Sequence, residues 1–339
     1  MRDGIKKTLE LLYQLAKRIV LRNRFPFFLQ FMIFRFFCYK KGLVLFKKLR
    51  RQYGRDCTIC ICPYKGTGDV YLAAAFFKDS ELDKEKNIFC VIGASNRKIS
   101  ELFKLKAKVR QFSLTEIDSL TRLSFFVGLD ASNVKILHHA PLNWHGGIND
   151  MFRNINGLDF TDLIGYGAFN VNDPKKFAKP YFLENDGKIE TMFEEGKLKI
   201  GKTVLLSPFS YTLSVLPDWF WKKLVIELQK LGYSVCTNLG SKKEKAVEGT
   251  QGVFLRYDQL GVFLKKAGYF IGIRSGFCDV VSSIPCKKIV LYQPYIFWGD
   301  GENIDYFSLN KIGLCDDAIE LQHKGIDYFG LIDEIKTKL

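Results

Sequence analysis

A turn of small and polar residues follows the first strongly apolar run of the chain, and it contains a carboxylate. The apolar run is Cys57 to Cys62, and the turn is Lys65-Gly66-Thr67-Gly68-Asp69, followed by a helix-like segment from Val70 to Phe77. A glycine-rich turn between a strand and a helix brings backbone N–H groups close to a bound anion. A carboxylate directly before an apolar helix, here Asp69, is suited to cap that helix.

A second turn of this kind occurs in the other half of the chain. The apolar run Gly268 to Ile273 ends in Arg274-Ser275-Gly276-Phe277, and Asp279 lies in the helix that we expect to follow. An arginine beside a helix start is placed to bind phosphate, and the backbone N–H groups of Ser275, Gly276 and Phe277 would add to it. We favour the diphosphate of a nucleotide as the anion. The alternative is a buried ion pair between Arg274 and Asp279.

Polar residues elsewhere provide weaker signals. Ser207 and Ser210 follow a predicted strand and could contact phosphate or sugar, although Ser-Pro is also an ordinary turn. The histidines at 138, 139 and 145 surround Trp144, but no Cys or carboxylate completes a metal set at the usual spacing. We therefore expect sugar or acceptor binding by His139, Trp144 and His145, or a loop that merely caps the sheet. Gln293, Asp300 and Glu302 could contact the nucleotide base, the ribose or the sugar. Asp300 and Glu302 also fit a plain turn.

The elements that must position these residues alternate between strand-like and helix-like segments. Such alternation predicts βαβ units and parallel sheets that are buried on both faces. Predicted strands are 57–62, 88–92, 109–112, 134–137, 203–206, 233–237, 252–255, 269–273 and 287–292. Predicted helices are 69–77, 96–105, 115–127, 217–231, 242–247, 258–267, 277–283 and 328–338. Between them, residues 138–202 are expected to be irregular.

The positive charge of the chain is concentrated at its N-terminal end. The net charge is +15, and residues 1–51 hold 14 Lys or Arg against Asp3 and Glu10 alone. Apolar residues between 5 and 20 recur at helical spacing, and Phe25 to Phe37 predicts a second, more apolar helix. We expect residues 1–52 to lie on an anionic membrane surface, since Arg35 interrupts the apolar run and it is too short to span. The alternatives are packing against the first domain and, less favoured, binding of nucleic acid.

The length of 339 residues suits two domains. We predict an arm over 1–52, an N-terminal Rossmann-like domain over 53–195 and a C-terminal Rossmann-like domain over 196–339. The fold class is therefore α/β, with two doubly wound parallel sheets facing a cleft. Several of the nine cysteines lie inside apolar runs, as reduced core residues do, which favours a cytosolic location on the inner face of the membrane.

Four motifs together resemble those of bacterial two-domain glycosyltransferases of the GT-B type, such as lipopolysaccharide heptosyltransferases and similar capsule or O-antigen enzymes. The motifs are Gly68-Asp69-Val70, Ser207-Pro208-Phe209-Ser210, the segment from Leu216 to Leu224, and Ile271 to Gly276. The resemblance covers roughly residues 55–295. It implies a GT-B fold, a nucleotide-sugar donor, no cofactor, and transfer to a lipid-linked or polysaccharide acceptor without a metal. The domain over 53–195 would then bind the acceptor, and the domain over 196–339 would bind the nucleotide-sugar.

The resemblance also implies roles for particular residues. Asp69 would be the catalytic base, and Lys65, Gly66, Thr67 and Gly68 would lie beside the acceptor. The chain departs from heptosyltransferases because Arg274 and Asp279 stand where an Asp-x-Gly and a later His are usual. The phosphate-binding Lys of the family is also replaced, by Ser214 or Val215, and Arg274 would supply the missing cation. Open alternatives are a non-catalytic binding protein of a surface-polysaccharide complex and a GT-B-like epimerase or phosphorylase.

Overall fold

The computed structural model describes residues 27–126, 134–138, 158–196, 198–210, 216–241, 243–293, 302–323, 325 and 327–339. The helices are α1 Phe27–Tyr53, α2 Thr67–Asp79, α3 Gly93–Glu101, α4 Leu114–Phe126, α5 Phe160–Ile164, α6 Gly187–Glu195, α7 Asp218–Lys230, α8 Leu260–Ala267, α9 Gly276–Ser282, α10 Asn303–Phe307 and α11 Tyr328–Thr337. The strands are β1 Ile59–Ile61, β2 Ile88–Ile92, β3 Lys108–Phe112, β4 Val134–Ile136, β5 Thr203–Ser207, β6 Ser234–Asn238, β7 Gln251–Val253, β8 Gly268–Ile273, β9 Lys287–Tyr292 and β10 Ile319–Gln322.

The chain divides into two compact units. The first comprises residues 1–63, 84–94 and 107–137, and the second comprises residues 64–83, 95–106 and 138–339. The turn that carries Asp69 therefore belongs to the same unit as the turn that carries Arg274. The domain boundaries expected after residues 52 and 195 stay predictions.

The first unit contains a parallel sheet of four strands in the order β3-β2-β1-β4. Its strands β1 and β2 are short apolar runs, and their side chains are buried almost throughout. Helix α1 packs against α4, where a Cβ on Gly42 would lie 2.3 Å from the carbonyl oxygen of Ser119. Leu49 is buried in the same core. Residues 39–53 thus follow the alternative in which the arm packs against its own domain, while residues 1–26 lie outside the described part.

The second unit contains a parallel sheet of six strands in the order β10-β9-β8-β5-β6-β7. With β5 numbered as the first strand of this unit and β10 as the sixth, the order read from β7 is 3-2-1-4-5-6, which is that of a doubly wound sheet. The direction of winding reverses between β5 and β8. Helix α7 covers one face with Phe220, Trp221, Leu224, Val225 and Leu228. The expectation of two Rossmann-like parallel sheets is confirmed.

Some predicted elements are wrong. Residues 243–247 form no helix, because the Thr237 hydroxyl accepts the N–H of Val247 and the Thr250 hydroxyl donates to the Val247 carbonyl. These side-chain bonds replace the backbone bonds of a helix. The stretch 138–202 is not irregular throughout, since its described part contains α5 and α6. Helix α10 and strand β10 are absent from the prediction.

Among the described residues, no helix combines the length and apolar character needed to cross a membrane.

Candidate functional site

The reversal of winding in the second sheet places Ser207 and Arg274 at one edge. Ser207 ends β5, and it pairs with Gly272 of β8, two residues before Arg274. Gly272 is needed there, since a Cβ would lie 3.1 Å from the Cβ of Ser207 and 2.6 Å from the Phe270 ring. Ligands of doubly wound proteins bind at the carboxyl ends of the strands, beside this reversal. The fold therefore makes this edge the candidate site.

The guanidinium group of Arg274 is buried and has a protein partner at each nitrogen. Nη2 lies 2.7 Å from Oδ1 of Asp279, and both side chains are more than nine-tenths buried. Nε donates to the carbonyl oxygen of Phe307 at 2.8 Å, and Nη1 donates to that of Ser275 at 2.7 Å. The ion pair that the sequence left open is confirmed. Phosphate binding by Arg274 stays a prediction, and these contacts give the side chain a structural role in addition.

The segment after α10 is fixed by a second buried network. Glu320 accepts hydrogen bonds from the hydroxyls of Tyr292 and Ser308, each at 2.5 Å, and from the N–H of Leu309 at 2.6 Å. The Tyr292 hydroxyl also lies 3.1 Å from the carbonyl oxygen of Phe307, which Arg274 contacts. Side chains of strands β9 and β10 thus hold the Phe307 carbonyl that the Arg274 side chain contacts. Nothing in the local sequence pattern indicated these residues.

The two glycine-bearing turns are in direct contact. A Cβ on Gly276 would lie 2.3 Å from the backbone nitrogen of Gly68, and a Cβ on Gly68 would lie 1.9 Å from Oδ2 of Asp279. Both distances are far below any real contact, so neither position accepts a side chain without movement. The first turns of α2 and α9 therefore meet, with the Asp279 carboxylate against the backbone of Gly68. The sequence predicted both turns but not their contact.

Asp69 occupies the third position of α2 rather than its cap. The helix begins at Thr67 and Gly66 is the N-cap residue, so the interpretation of Asp69 as the cap is wrong. The pKa of Asp69 is raised to about 7, mainly by burial and secondly by the negative charge of Asp279, while the positive charge of Arg274 opposes the change. A carboxyl group that titrates near neutrality can take up and release a proton at physiological pH. This property is the one expected of a general base.

The turn before α2 is supported by α3. The side-chain amide of Asn96 donates to the carbonyl oxygens of Tyr64 at 3.4 Å and Lys65 at 3.3 Å, and Asn96 is 4% exposed. The Tyr64 ring stacks on His138, with ring centroids 5.7 Å apart. Lys65 is exposed, and Thr67 is half-buried at the start of the helix. Asn96 was missed because a lone asparagine in a helix carries no recognisable motif.

The remaining predicted donor residues lie at the start of α9 and after the end of β5. Ser275 is the N-cap residue of α9, and its side chain makes no capping hydrogen bond within the described structure. Phe277 is half-buried beside the ring of Phe270, at a centroid distance of 6.0 Å. Ser210 is half-buried beyond the end of β5.

Other predicted residues do not join the site in the described structure. His139, Trp144, His145, Asp300, Ser214 and Val215 lie outside the described residues. Gln293 is buried after β9, whereas Glu302 is the N-cap residue of α10 and its N–H donates to the Asp305 carboxylate at 2.7 Å. Over the described ranges, no group of three or more His, Cys, Asp or Glu side chains is arranged to hold a metal ion.

Comparison with known proteins places the fold in a class. No protein-family model matches the sequence, and no curated protein matches it. Solved structures do match. The E. coli ADP-heptose lipopolysaccharide heptosyltransferase II shares a TM-score of 0.54 at 13% identity, over 83% of this chain and 98% of the other. The E. coli heptosyltransferase WaaC, solved with ADP, shares a TM-score of 0.51 at 11% identity, over 83% and 100%.

The chain thus has a fold similar to that of bacterial lipopolysaccharide heptosyltransferases. The resemblance drawn from its sequence motifs is confirmed at this level. At 11–13% identity the likeness concerns the fold, and the activity must be argued from the site itself.

Proposed function

We propose that the chain is a glycosyltransferase of bacterial cell-surface glycan synthesis. It moves a sugar from a nucleotide-sugar to a lipid-linked or polysaccharide acceptor, with the two sheets as the halves of a GT-B enzyme. The observation that carries the proposal is Asp69, whose pKa is raised to about 7 at the start of a helix that meets the α9 turn. Support comes from the fold shared with heptosyltransferases, one of them solved with ADP.

In this proposal Asp69 is the base. Its carboxylate takes the proton of the acceptor hydroxyl as the new bond forms between that oxygen and the anomeric carbon. The bond between the anomeric carbon and the diphosphate oxygen breaks, and the nucleoside diphosphate leaves with the electron pair. The acceptor would lie beside Lys65 to Gly68, and His139, Trp144 and His145 are proposed as further acceptor contacts.

The leaving diphosphate would be stabilised without a metal or cofactor. We assign this role to the backbone N–H groups of Ser275, Gly276 and Phe277, with Ser207 and Ser210 from β5 and its following turn. Arg274 and Asp279 hold this turn in place through their ion pair, and the positive charge of Arg274 adds to the field at the helix start.

We further propose that the reaction takes place at the inner face of the cell membrane. Val44, Lys47, Lys48 and Arg51 recur on one face of α1 at helical spacing and are exposed, while Leu49 on the opposite face is buried. The sequence of α1 contains no acidic residue. This cationic face complements anionic lipid headgroups, and residues 1–26 would extend the contact.

Two measurements test the proposal. A thermal-shift screen against UDP, GDP, ADP, CMP and dTDP should show a rise for one nucleotide, because binding to the native state stabilises it. With the matching nucleotide-sugar and an acceptor extract, Asp69→Asn should lose turnover by about 10²-fold or more while nucleotide binding persists. Donor consumption without acceptor would identify an epimerase. Unchanged complex formation by inactive protein, with no nucleotide response, would identify a binding component.

The membrane contact is tested by sedimentation with vesicles. The triple variant Lys47→Glu, Lys48→Glu, Arg51→Glu should lose binding to vesicles that contain phosphatidylglycerol. A matched control is Lys84→Glu, Lys86→Glu, Lys106→Glu, which reverses three exposed charges elsewhere. Equal loss in both variants would indicate that net charge, rather than this face, governs the association.

A further inference from the structure

A cavity of about 380 Å³ lies in the second unit, beside the candidate site. It is bounded by the end of α3 and the following turn, by the extended segment 181–183, and by the turn 256–258. Two backbone hydrogen bonds hold these walls together, from Tyr181 N–H to the Leu102 carbonyl at 2.7 Å and from Leu183 N–H to the Asp258 carbonyl at 2.9 Å. The cavity is therefore built into the fold.

Positive charge dominates its lining. Lys98, Lys104 and Arg256 supply three cationic groups, against the carboxylates of Glu101 and Asp258. Each carboxylate already has a guanidinium partner: Arg97 lies 2.7 Å from Glu101, and Arg256 binds both oxygens of Asp258 at 2.9 and 3.0 Å. The two lysines thus determine the sign of the charge that a ligand meets.

Aromatic rings form the rest of the wall. Tyr181 is 51% exposed, and the ammonium group of Lys104 lies 4.6 Å from the centre of its ring. Phe182 and Tyr257 line the cavity as half-buried rings. Ring faces of this kind pack against the apolar C–H faces of sugars and leave the hydroxyl groups free for polar partners.

Lys104 is held in an unusual backbone conformation. Its φ is +46°, in the left-handed region that residues other than glycine rarely adopt. The Lys78 ammonium group donates to the Lys104 carbonyl at 3.0 Å, which helps to fix this turn. A lysine kept at a position that favours glycine suggests that its side chain is needed there.

Tyr257 connects the cavity to the candidate site. Its ring lies 6.5 Å from that of Phe277 in α9, and its hydroxyl lies 3.2 Å from Oγ of Ser95. Ser95 precedes Asn96, which supports the turn that leads to Asp69. A ligand in the cavity would thus lie beside elements that carry both turns of the site.

We propose that this cavity binds a saccharide unit that carries an anionic substituent, either phosphate or carboxylate. Lys98 and Lys104 bind the anionic group, and the rings of Tyr181 and Tyr257 pack against the sugar. That this unit belongs to the acceptor rests on the proposed transferase function, whereas the binding itself does not.

Calorimetric titration of the full chain with glucose 6-phosphate and with glucuronic acid tests the proposal. At least one of them should bind, with an affinity at least tenfold higher than that of glucose or of inorganic phosphate. The double variant Lys98→Gln, Lys104→Gln should weaken the binding at least tenfold. A response to only one acid sugar supports the proposal and identifies the substituent.

The control Lys84→Gln, Lys86→Gln removes two exposed lysines elsewhere and should bind as the wild type does. Lys104→Gly keeps the left-handed backbone and loses only the side chain, so its melting temperature should be retained while binding falls. Equal binding by the double variant, or binding of AMP here without either acid sugar, would overturn the proposal. Asp69→Asn should leave this binding unchanged, so failure of the transferase function and failure of the cavity proposal are distinguishable.

Discussion

Gly68 and Gly276 lie back to back, so closely that a Cβ on Gly276 would stand 2.3 Å from the backbone nitrogen of Gly68. The two residues are more than 200 positions apart in the chain. Their contact joins the first turns of two helices and places the Asp279 carboxylate against the turn that carries Asp69. The geometry around Asp69 therefore depends on residues that have no side chain.

We expect Gly68→Ala to destabilise the protein by about 1–3 kcal/mol and to reduce turnover, because the new methyl group would lie 1.9 Å from Oδ2 of Asp279. Chemical denaturation and the transfer assay measure the two effects. Gly187→Ala is the matched control, since a Cβ at this first position of α6 meets nothing within 4 Å. A fully stable and active Gly68→Ala protein would contradict the packing of the turns.

The contribution of Asp69 to stability should fall as the pH rises from about 4 to about 7. The folded pKa of Asp69, about 7, lies above the ordinary aspartate value, so the folded state binds the extra proton in this range. Asp69→Asn removes this effect and should be more stable than the wild type at pH 8, by about 1–2 kcal/mol after allowance for partial solvation. Denaturation at pH 5 and pH 8 provides the measurement. An unchanged pH dependence in the variant would assign the effect to another group.

The same variant should show that Asp69 serves function at the expense of stability. We expect the kcat/KM of the wild type to rise with pH to a plateau above about pH 7, as Asp69 loses its proton and becomes a base. The residual kcat/KM of Asp69→Asn should not show this rise with pH. If kcat/KM rose at the same pH in the wild type and in the variant, Asp69 would be excluded as the base.

Removal of one partner from the Arg274–Asp279 pair should cost more than removal of both. Arg274→Met leaves the Asp279 carboxylate buried without its cation, which costs about 3–5 kcal/mol. The double variant Arg274→Met, Asp279→Leu should recover a large part of this loss. Unfolding free energies of the two single variants and the double variant give the coupling. Strictly additive losses would mean that the ion pair contributes nothing.

Much of this fold was predictable because its sheets are parallel and buried. Strand β9, Lys287–Tyr292, ends in the continuous apolar run Ile289 to Tyr292, and the structure places it within its predicted bounds. Helix α7 follows from its apolar spacing and from Pro217 at its start. The elements that were missed lack such a signal. Strand β10, Ile319–Gln322, alternates apolar and polar residues, and it pairs with β9 only once the rest of the sheet exists.

The candidate site was predictable in its parts but not as a whole. Glycine-rich turns after strands indicated Asp69 and Arg274, since the local sequence alone dictates a turn there. The distant partner of Arg274 is the Phe307 carbonyl, which is itself held by Tyr292 and, through it, by Glu320. Such contacts depend on the order of strands in the sheet, which a single sequence does not specify.

The contact of Gly68 with Gly276 and Asp279 constrains how this chain can diverge. A side chain acquired at position 68 would displace the Asp279 carboxylate, and one at position 276 would collide with the backbone at 68. Either replacement alone is expected to destabilise the protein, whereas a combined change at the three positions could restore the fit. Among homologues these positions should consequently covary, so that relatives keep both glycines together with the aspartate or replace all three.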